Sequence, residues 1–396
     1  MKLLKHFSFK NKRVLVRVDY NVPLNDRFEV LDNSRILASI GTIKKVLNDG
    51  GKVIIMSHLG RPKGSYNNRF SLKHLVGELS NILGVNVVFC DDCVGKKTAE
   101  TVSSMVPGDV AVLENLRFYE EEVSGCPDFA KQLSELADVY INDAFGTAHR
   151  AHASTSVIAR YFGDQKCIGD LFFSEISHLE NLLSSTVRPF TAIIGGAKIS
   201  SKIEVIRSLI KKVDNLIIGG GMAYTFIKSL EGNVGGSLVE NDKITLANNL
   251  IKEAKENDVK LFLPLDSVNA SAFKNDAETY ISKIENIKDS YLGLDIGPKS
   301  IDVFSDLILS SKTIIWNGPM GVFEMDKFAA GTKGIAKAIA KATAKGAFSL
   351  VGGGESVSAV KSFGFGEEVS YLSTGGGAML KYIEGAVLPG LKALEV

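Results

Sequence analysis

An α/β protein of two domains, each a parallel sheet flanked by helices, follows from three features of the 396-residue chain. Short apolar runs rich in β-branched residues recur along it, each broken off by glycine or polar residues. Segments rich in Lys, Glu, Ala and Leu separate those runs. The length also exceeds what one hydrophobic core organises, at roughly 150 residues per domain. Apolar runs without alternation suit strands buried on both faces, and the intervening segments suit crossover helices.

Taken in order, the first-half runs are VLVRV (14–18), VIIM (53–56), VAVL (110–113) and VYI (139–141). Near 160–190 the stretch GDLFFSEISHLENLLSS places Phe172, Ile176, Leu179 and Leu183 three or four apart, which predicts an amphipathic helix over 171–184. The second-half runs are TAII (191–194), NLII (215–218), KLFL (260–263), TIIW (313–316), AFSLV (347–351) and SYL (370–372). No short-period repeat interrupts the series. The expectation is two Rossmann-like domains, 1–170 and 185–378, joined by a hinge helix at 171–184.

Composition narrows the function. Hydrophobic residues at 45% and charged residues at 23% are ordinary globular values and exclude disorder. Lys+Arg 46 against Asp+Glu 45 leaves a net charge of +1, and no basic stripe with interleaved aromatics suggests nucleic acid as a partner. Residues 1–100 nevertheless hold 17 Lys/Arg against 9 Asp/Glu, room for a cationic pocket that takes an anionic metabolite. Four cysteines are too few for a disulfide framework, and the lone C-x-x-C at Cys90 and Cys93 has no second pair, so ordinary thiols are expected. Lys5, His6 and Lys10 interrupt the N-terminal apolar residues, unlike a signal peptide, and no run reaches membrane-span length, which makes the cytoplasm the expected location.

In open α/β sheets ligands bind beyond the carboxyl ends of the strands. After the first-half runs come DYN, SHLGR, ENLR and NDAFGTAHRAH, which contribute Asp19, Asn21, His58, Arg61, Arg117, His149, Arg150 and His152; Arg35 stands in a separate loop or helix start. One arginine alone suits a surface or capping role, but four near strand ends suit a small ligand bearing both carboxylate and phosphate. His149 and His152 imitate an H-x-x-H metal pair, yet no carboxylate spacing supports one, and hydrogen-bonding roles are expected.

The second-half strand ends carry glycine instead: GGAK (195–198), GGGM (219–222), NGPMG (317–321), GGGES (352–356) and STGGGA (373–378). Glycine lets backbone N–H groups approach an anion, and a helix starting directly afterwards adds its positive end, so this face suits a polyphosphate. Lys198 and Lys202, spaced i, i+4, are expected on one face of the helix opening there. Glu355, behind three glycines, is a candidate Mg²⁺ ligand, its bland alternative being a helix N-terminal charge. No P-loop, G-x-G-x-x-G, protein-kinase loop or G-x-S-x-G elbow is present.

VLVRVDYNVP (14–23) carries R-x-D-x-N-x-P, and SHLGRPKG, LENLRF, NDAFGTAHRAH, GGAKISSKI, GGGMAYTF, GLDIGP, WNGPMGVFE and STGGGA follow in order. Over about residues 14–378 the chain resembles the phosphoglycerate kinase family. The resemblance implies the reaction 1,3-bisphosphoglycerate + ADP ⇌ 3-phosphoglycerate + ATP, Mg²⁺-dependent, in-line and accompanied by hinge closure, in a cytoplasmic monomer with small-molecule partners only. It implies that Asp19, Asn21, Arg35, His58, Arg61, Arg117, His149 and Arg150 bind phosphoglycerate. On the nucleotide side it implies Gly196, Ala197, Lys198, Lys202, Gly220, Gly293, Leu294, Asn317, Pro319, Gly321, Val322, Glu324, Gly353, Gly354, Glu355 and Ser356. Arg35, Lys198, Lys202, Gly354 and Gly377 would act on the transferring group, Glu355 would meet the metal, and a tail from about 379 to 396 would return to the first domain.

The family usually has Asp where this chain has Glu355, so the carboxylate stands about one C–C bond further out, which bears on metal affinity. SLKHLVGEL (71–79) lacks the usual proline after Ser-Leu-Lys, a change at a helix start. Two other functions remain open on this ground: another small-molecule carboxylate kinase on the same frame, and a non-catalytic metabolite-binding protein.

Overall fold

Residues 1–184 and 186–395 are described by the computed structural model; the expected domain start at residue 185 and the last residue of the expected tail lie outside the described residues. The chain divides into two compact units, Met1–Ser177 with the residues from Val387 onward, and His178–Ala386.

Strand and helix alternate through the first unit: β1 (Arg13–Arg17), α1 (Ser34–Asn48), β2 (Lys52–Met56), α2 (Val76–Leu83), β3 (Val87–Phe89), α3 (Lys96–Ser103), β4 (Val110–Val112), α4 (Glu120–Ser124), α5 (Pro127–Ser134), β5 (Val139–Asn142), β6 (Lys166–Ile168) and the start of α6 (Asp170–Ser184). The six strands form one sheet in the order β3-β4-β2-β1-β5-β6, every pair parallel. Val14, Val16, Val53, Ile55, Val110 and Ile141 are buried in its core, as continuous β-branched runs require. From β1 the chain steps to β2 on one side and later to β5 on the other, so the carboxyl ends of β1 and β5 flank the crevice where such sheets bind ligands.

β3 and β6 are edge strands of three residues that no long apolar run announces, and Val88 on β3 is 40% exposed. Phe172, Ile176 and Leu179 of α6 are buried as the periodicity predicts, with Leu182 instead of Leu183 completing the face. The division between the units falls inside this helix.

In the second unit the order continues with β7 (Phe190–Ile194), α7 (Ile203–Ile210), β8 (Asn215–Ile218), α8 (Met222–Ser229), β9 (Asn233–Val234), α9 (Ile244–Glu256), β10 (Lys260–Phe262), β11 (Asp266–Ala270), β12 (Thr279–Lys283), β13 (Asn286–Ile287) and β14 (Leu292–Ile296). Then come α10 (Pro298–Ser310), β15 (Thr313–Asn317), α11 (Ala330–Ala344), β16 (Phe348–Gly352), α12 (Gly354–Ser362), β17 (Tyr371–Ser373) and α13 (Gly377–Ile383). A second all-parallel sheet runs β10-β8-β7-β15-β16-β17 around a core holding Ile193, Ile217, Ile314, Trp316 and Val351. The order in which the chain adds strands reverses between β7 and β15, which stay parallel. The chain ends in α14 (Pro389–Lys392), which belongs to the first unit.

The structure departs from expectation in three places. An antiparallel sheet β12-β11-β14 and a two-stranded pair β13-β9 were not anticipated, because β12 alternates exposed with half-buried residues and offers no apolar run. NGPMG is not followed directly by a helix; the chain passes through a 3₁₀ turn at Asp326–Phe328 before α11. Lys198 and Lys202 do not share one face of a continuous helix. A 3₁₀ turn, Ile199–Ser201, separates them, closed by Lys202 N–H to the Ile199 carbonyl at 2.8 Å, and α7 begins only at Ile203.

Candidate active site

The first unit gathers its arginines beyond β1, β2, β4 and β5. Arg61, Arg117 and Arg150 line a pocket of about 440 Å³ together with Lys63, Gly64, Val123 and His152. The loops are tied together by their own polar groups. Asn21 Oδ1 accepts from Gly60 N at 2.8 Å, and Arg117 Nη1 donates to the Gly60 carbonyl at 2.8 Å, so the loops after β1 and β4 both grip the loop after β2. Arg35, the second residue of α1, donates to Asp19 Oδ2 at 2.5 Å. His149 stands outside the pocket lining, its Nε2 accepting from Arg150 Nε at 3.2 Å.

Burial and the neighbouring cations act together on this cluster. Burial, then the neighbouring Arg150 and Arg17, bring Arg117 down to about 10, and burial with Arg61 lowers Arg150. A doubly anionic ligand relieves what the cations impose on each other.

Beneath the pocket lie residues to which the motifs assign no ligand role. Arg17, at the end of β1, is fully buried; its Nε donates to Ser154 Oγ at 2.8 Å, its Nη1 to the Val18 carbonyl, and its Nη2 lies 3.3 Å from His58 Nδ1. Glu122 of α4, also fully buried, accepts from Ser154 N at 2.9 Å and Ser154 Oγ at 2.6 Å, and its Oε1 is 4.0 Å from Arg17. Burial raises the Glu122 carboxyl, but His152, Arg17 and Ser154 outweigh that and hold it below its ordinary value. A charged residue inside the apolar run VLVRV was the available signal.

The second unit holds a pocket of about 360 Å³ in which many expected nucleotide residues meet: Gly196, Ala197, Gly220, Gly293, Leu294, Pro319, Gly321, Val322, Glu324 and Glu355. Its walls are largely apolar, and exposed Leu238 and Phe273, neither singled out beforehand, stand among the lining residues. Two glycines explain how the backbone comes so close. A Cβ on Gly220, at φ +64°, would lie 2.6 Å from Gly196 N, and one on Gly293 would lie 2.0 Å from the Tyr224 hydroxyl oxygen.

Lys198, Lys202, Asn317, Gly353, Gly354, Ser356 and Gly377 are not part of that lining. Several are bonded to one another beyond β7, β15 and β16. Lys202 Nζ donates to Asn317 Oδ1, Asn317 Nδ2 donates to the Gly352 carbonyl at 2.7 Å, and Gly318 N donates to Ser356 Oγ at 2.6 Å. Burial lowers Lys202, and the Glu355 carboxylate partly opposes this. Lys198 is exposed at the start of the 3₁₀ turn, and Gly377 opens α13.

Glu355 lies exposed in the first turn of α12, behind Gly353 at φ +94°. Among the described residues no group of three or more His, Cys, Asp or Glu side chains could hold a metal. One carboxylate at the pocket wall fits a hard cation that takes its remaining oxygens from phosphate and water.

A family model described as phosphoglycerate kinase matches residues 4–386. The phosphoglycerate kinase of Porphyromonas gingivalis is 49% identical over 417 aligned positions, covering 99% of each chain. The cytosolic phosphoglycerate kinase of Triticum aestivum is 51% identical over 388, covering 98% of this chain and 96% of its own. Among solved structures, phosphoglycerate kinase from Coxiella burnetii superposes with a TM-score of 0.87 at 37% identity, covering 99% of this chain and 98% of that one. The Pyrococcus horikoshii enzyme gives 0.84 at 30% identity, with 100% and 98% covered. With both sheets, both sets of strand-end loops and this full-length similarity in agreement, the chain belongs to the phosphoglycerate kinase family.

Proposed function

We propose that this chain transfers a phosphoryl group reversibly from 1,3-bisphosphoglycerate to ADP, holding phosphoglycerate on the first unit and nucleotide on the second. The observation that carries the reading is the contrast between the two switch-point crevices, one crowded with mutually repelling arginines and the other lined by glycine and apolar side chains. Arg61, Arg117 and Arg150 take the phosphate, while Asp19, Asn21, Arg35, His58 and His149 orient the remainder of the phosphoglycerate. Gly196, Ala197, Gly220, Gly293, Leu294, Pro319, Gly321, Val322 and Glu324 surround base and ribose; Gly353, Gly354 and Ser356 meet the phosphates.

No side chain here needs to form a covalent intermediate. Catalysis is positioning together with neutralisation of charge on the transferring group, shared by Arg35, Lys198, Lys202 and the backbone amides at Gly354 and Gly377. Asn317 holds the Lys202 ammonium in place from the other side of the switch point. Glu355 would hold Mg²⁺, which neutralises nucleotide phosphate charge when bound.

Ligands assigned to different units must meet for transfer, so the reading requires closure about a hinge at 171–184, with Met1–Ser177 and the tail from Val387, rather than from about 379, forming the phosphoglycerate domain and His178–Ala386 the nucleotide domain. The protein works as a cytoplasmic monomer on small molecules, as the cytosolic relative from Triticum aestivum suggests; no described helix is long and apolar enough to cross a membrane. A coupled assay with 3-phosphoglycerate, ATP and a Mg²⁺ titration tests the proposal. Turnover that requires both substrates and the metal is expected, and none at saturating Mg²⁺ removes the reading.

A further inference from the structure

We infer that Arg17, which does not itself line either pocket, is a positioning residue that locks His58 into the neutral tautomer with Nδ1 as acceptor, so that His58 offers phosphoglycerate an Nε2–H donor. The inference rests on the reading above that the loop after β2 binds that ligand.

A guanidinium has five donors and no lone pair. The ring nitrogen 3.3 Å from Arg17 Nη2 must therefore be the acceptor, which puts the imidazole proton on Nε2. Arg17 is not free to turn away. Nε is engaged by Ser154 Oγ at 2.8 Å, Nη1 by the Val18 carbonyl, and Ser154 is itself held by both oxygens of the buried Glu122.

The competing arrangement would place a proton on Nδ1 and direct it at Asp19. Asp19 Oδ1 lies 3.8 Å from Nδ1, beyond hydrogen-bond reach, and Oδ2 is taken by Arg35 at 2.5 Å. The charged groups around the ring are Arg17, Arg117, Arg150 and Arg35, with Asp19 the anion among them. Burial first, and then those four cations, hold His58 well below the ordinary histidine range. Among the described residues the polar contacts of the ring run through Nδ1. A neutral donor in a cluster of fixed cations adds a directional bond to the ligand without a protonation step at working pH.

Long-range ¹H–¹⁵N correlation of the histidine rings in the full-length labelled protein tests this, with His58→Gln assigning the His58 signals by their disappearance. The expected spectrum has an unprotonated Nδ1 and a protonated Nε2, constant from about pH 5.5 to about pH 8.5. In Arg17→Lys the ring should become a tautomer mixture or titrate, and KM for 3-phosphoglycerate should rise about tenfold with kcat changed less, the size expected when one hydrogen bond to a charged ligand is lost. A wild-type spectrum with the proton on Nδ1, or one that titrates in this range, overturns the inference. So does an Arg17→Lys spectrum identical to wild type. Should Arg17→Lys fail to fold, the wild-type spectrum alone decides. The expected tautomer in a protein that shows no phosphoglycerate turnover would defeat the functional reading instead, while full turnover with the other tautomer defeats only this inference.

Discussion

Lys202 shows how a side chain common on protein surfaces becomes specific. Its ammonium is half-buried against Asn317 and lowered by burial, with Glu355 the nearby counter-charge. Charge held ready in a partly dehydrated site acts on the transition state, so Lys202→Ala should lower kcat about 10²–10³-fold with an unchanged unfolding transition; unaltered turnover would remove its role. Asp143, at the end of β5, gives a second prediction. Burial lifts its carboxyl from 3.8 to about 7, although Oδ1 accepts Phe172 N at 3.0 Å. The folded state thus holds the proton more tightly than the unfolded chain. The stability contributed by the neutral form is complete below pH 3.8 and is lost as pH rises through about 7. Asp143→Asn should flatten that part of the stability–pH curve, measured by denaturant unfolding at several pH values; a parallel curve contradicts the assignment. Arg17 was harder to read, because the residues that give it meaning are remote in sequence: Ser154 stands 137 positions away.

The glycine turns act as elements, through the backbone. Gly318 sits at φ +98°, and a Cβ there would stand 2.2 Å from the Gly195 carbonyl oxygen, where β7 and β15 end side by side. Gly318→Ala should cost about 2–4 kcal/mol of stability and raise KM for nucleotide, read from denaturation midpoints and kinetics. Stability equal to wild type would show that the two strand ends do not need this approach. Long buried strands and the amphipathic α6 were legible from local pattern, since continuous β-branched runs and a 3.6-residue period each answer one kind of burial. The three-residue edge strands and the antiparallel β12-β11-β14 sheet were not, because exposed strands carry no such run. The conformation between Lys198 and Lys202 also escaped local pattern: Ser200 N is held at 3.0 Å by Glu240, forty positions on.

At the scale of the whole molecule, the first unit contains both ends of its own segment and the end of the chain. Leu388 and Leu394 are 2% and 1% exposed, Gly390 N donates to the Ala148 carbonyl at 2.8 Å, and Lys166 Nζ donates to the Ala393 carbonyl at 2.9 Å. Removing the residues after Ala386 should destabilise the first unit by about 3–6 kcal/mol, the worth of two buried leucines. Calorimetry should then find a lowered transition for that unit beside an unshifted one for the second, whereas an unchanged profile would show the tail to be dispensable. The sequence by itself determined two α/β halves, one armed with arginine and the other with glycine at its strand ends, because burial periodicity and turn chemistry are local properties. Only the tertiary structure decided which of those residues meet, how Arg17 and Glu122 stand behind His58, and where α7 begins, because those outcomes depend on partners brought together by strand order and not by neighbourhood in the chain.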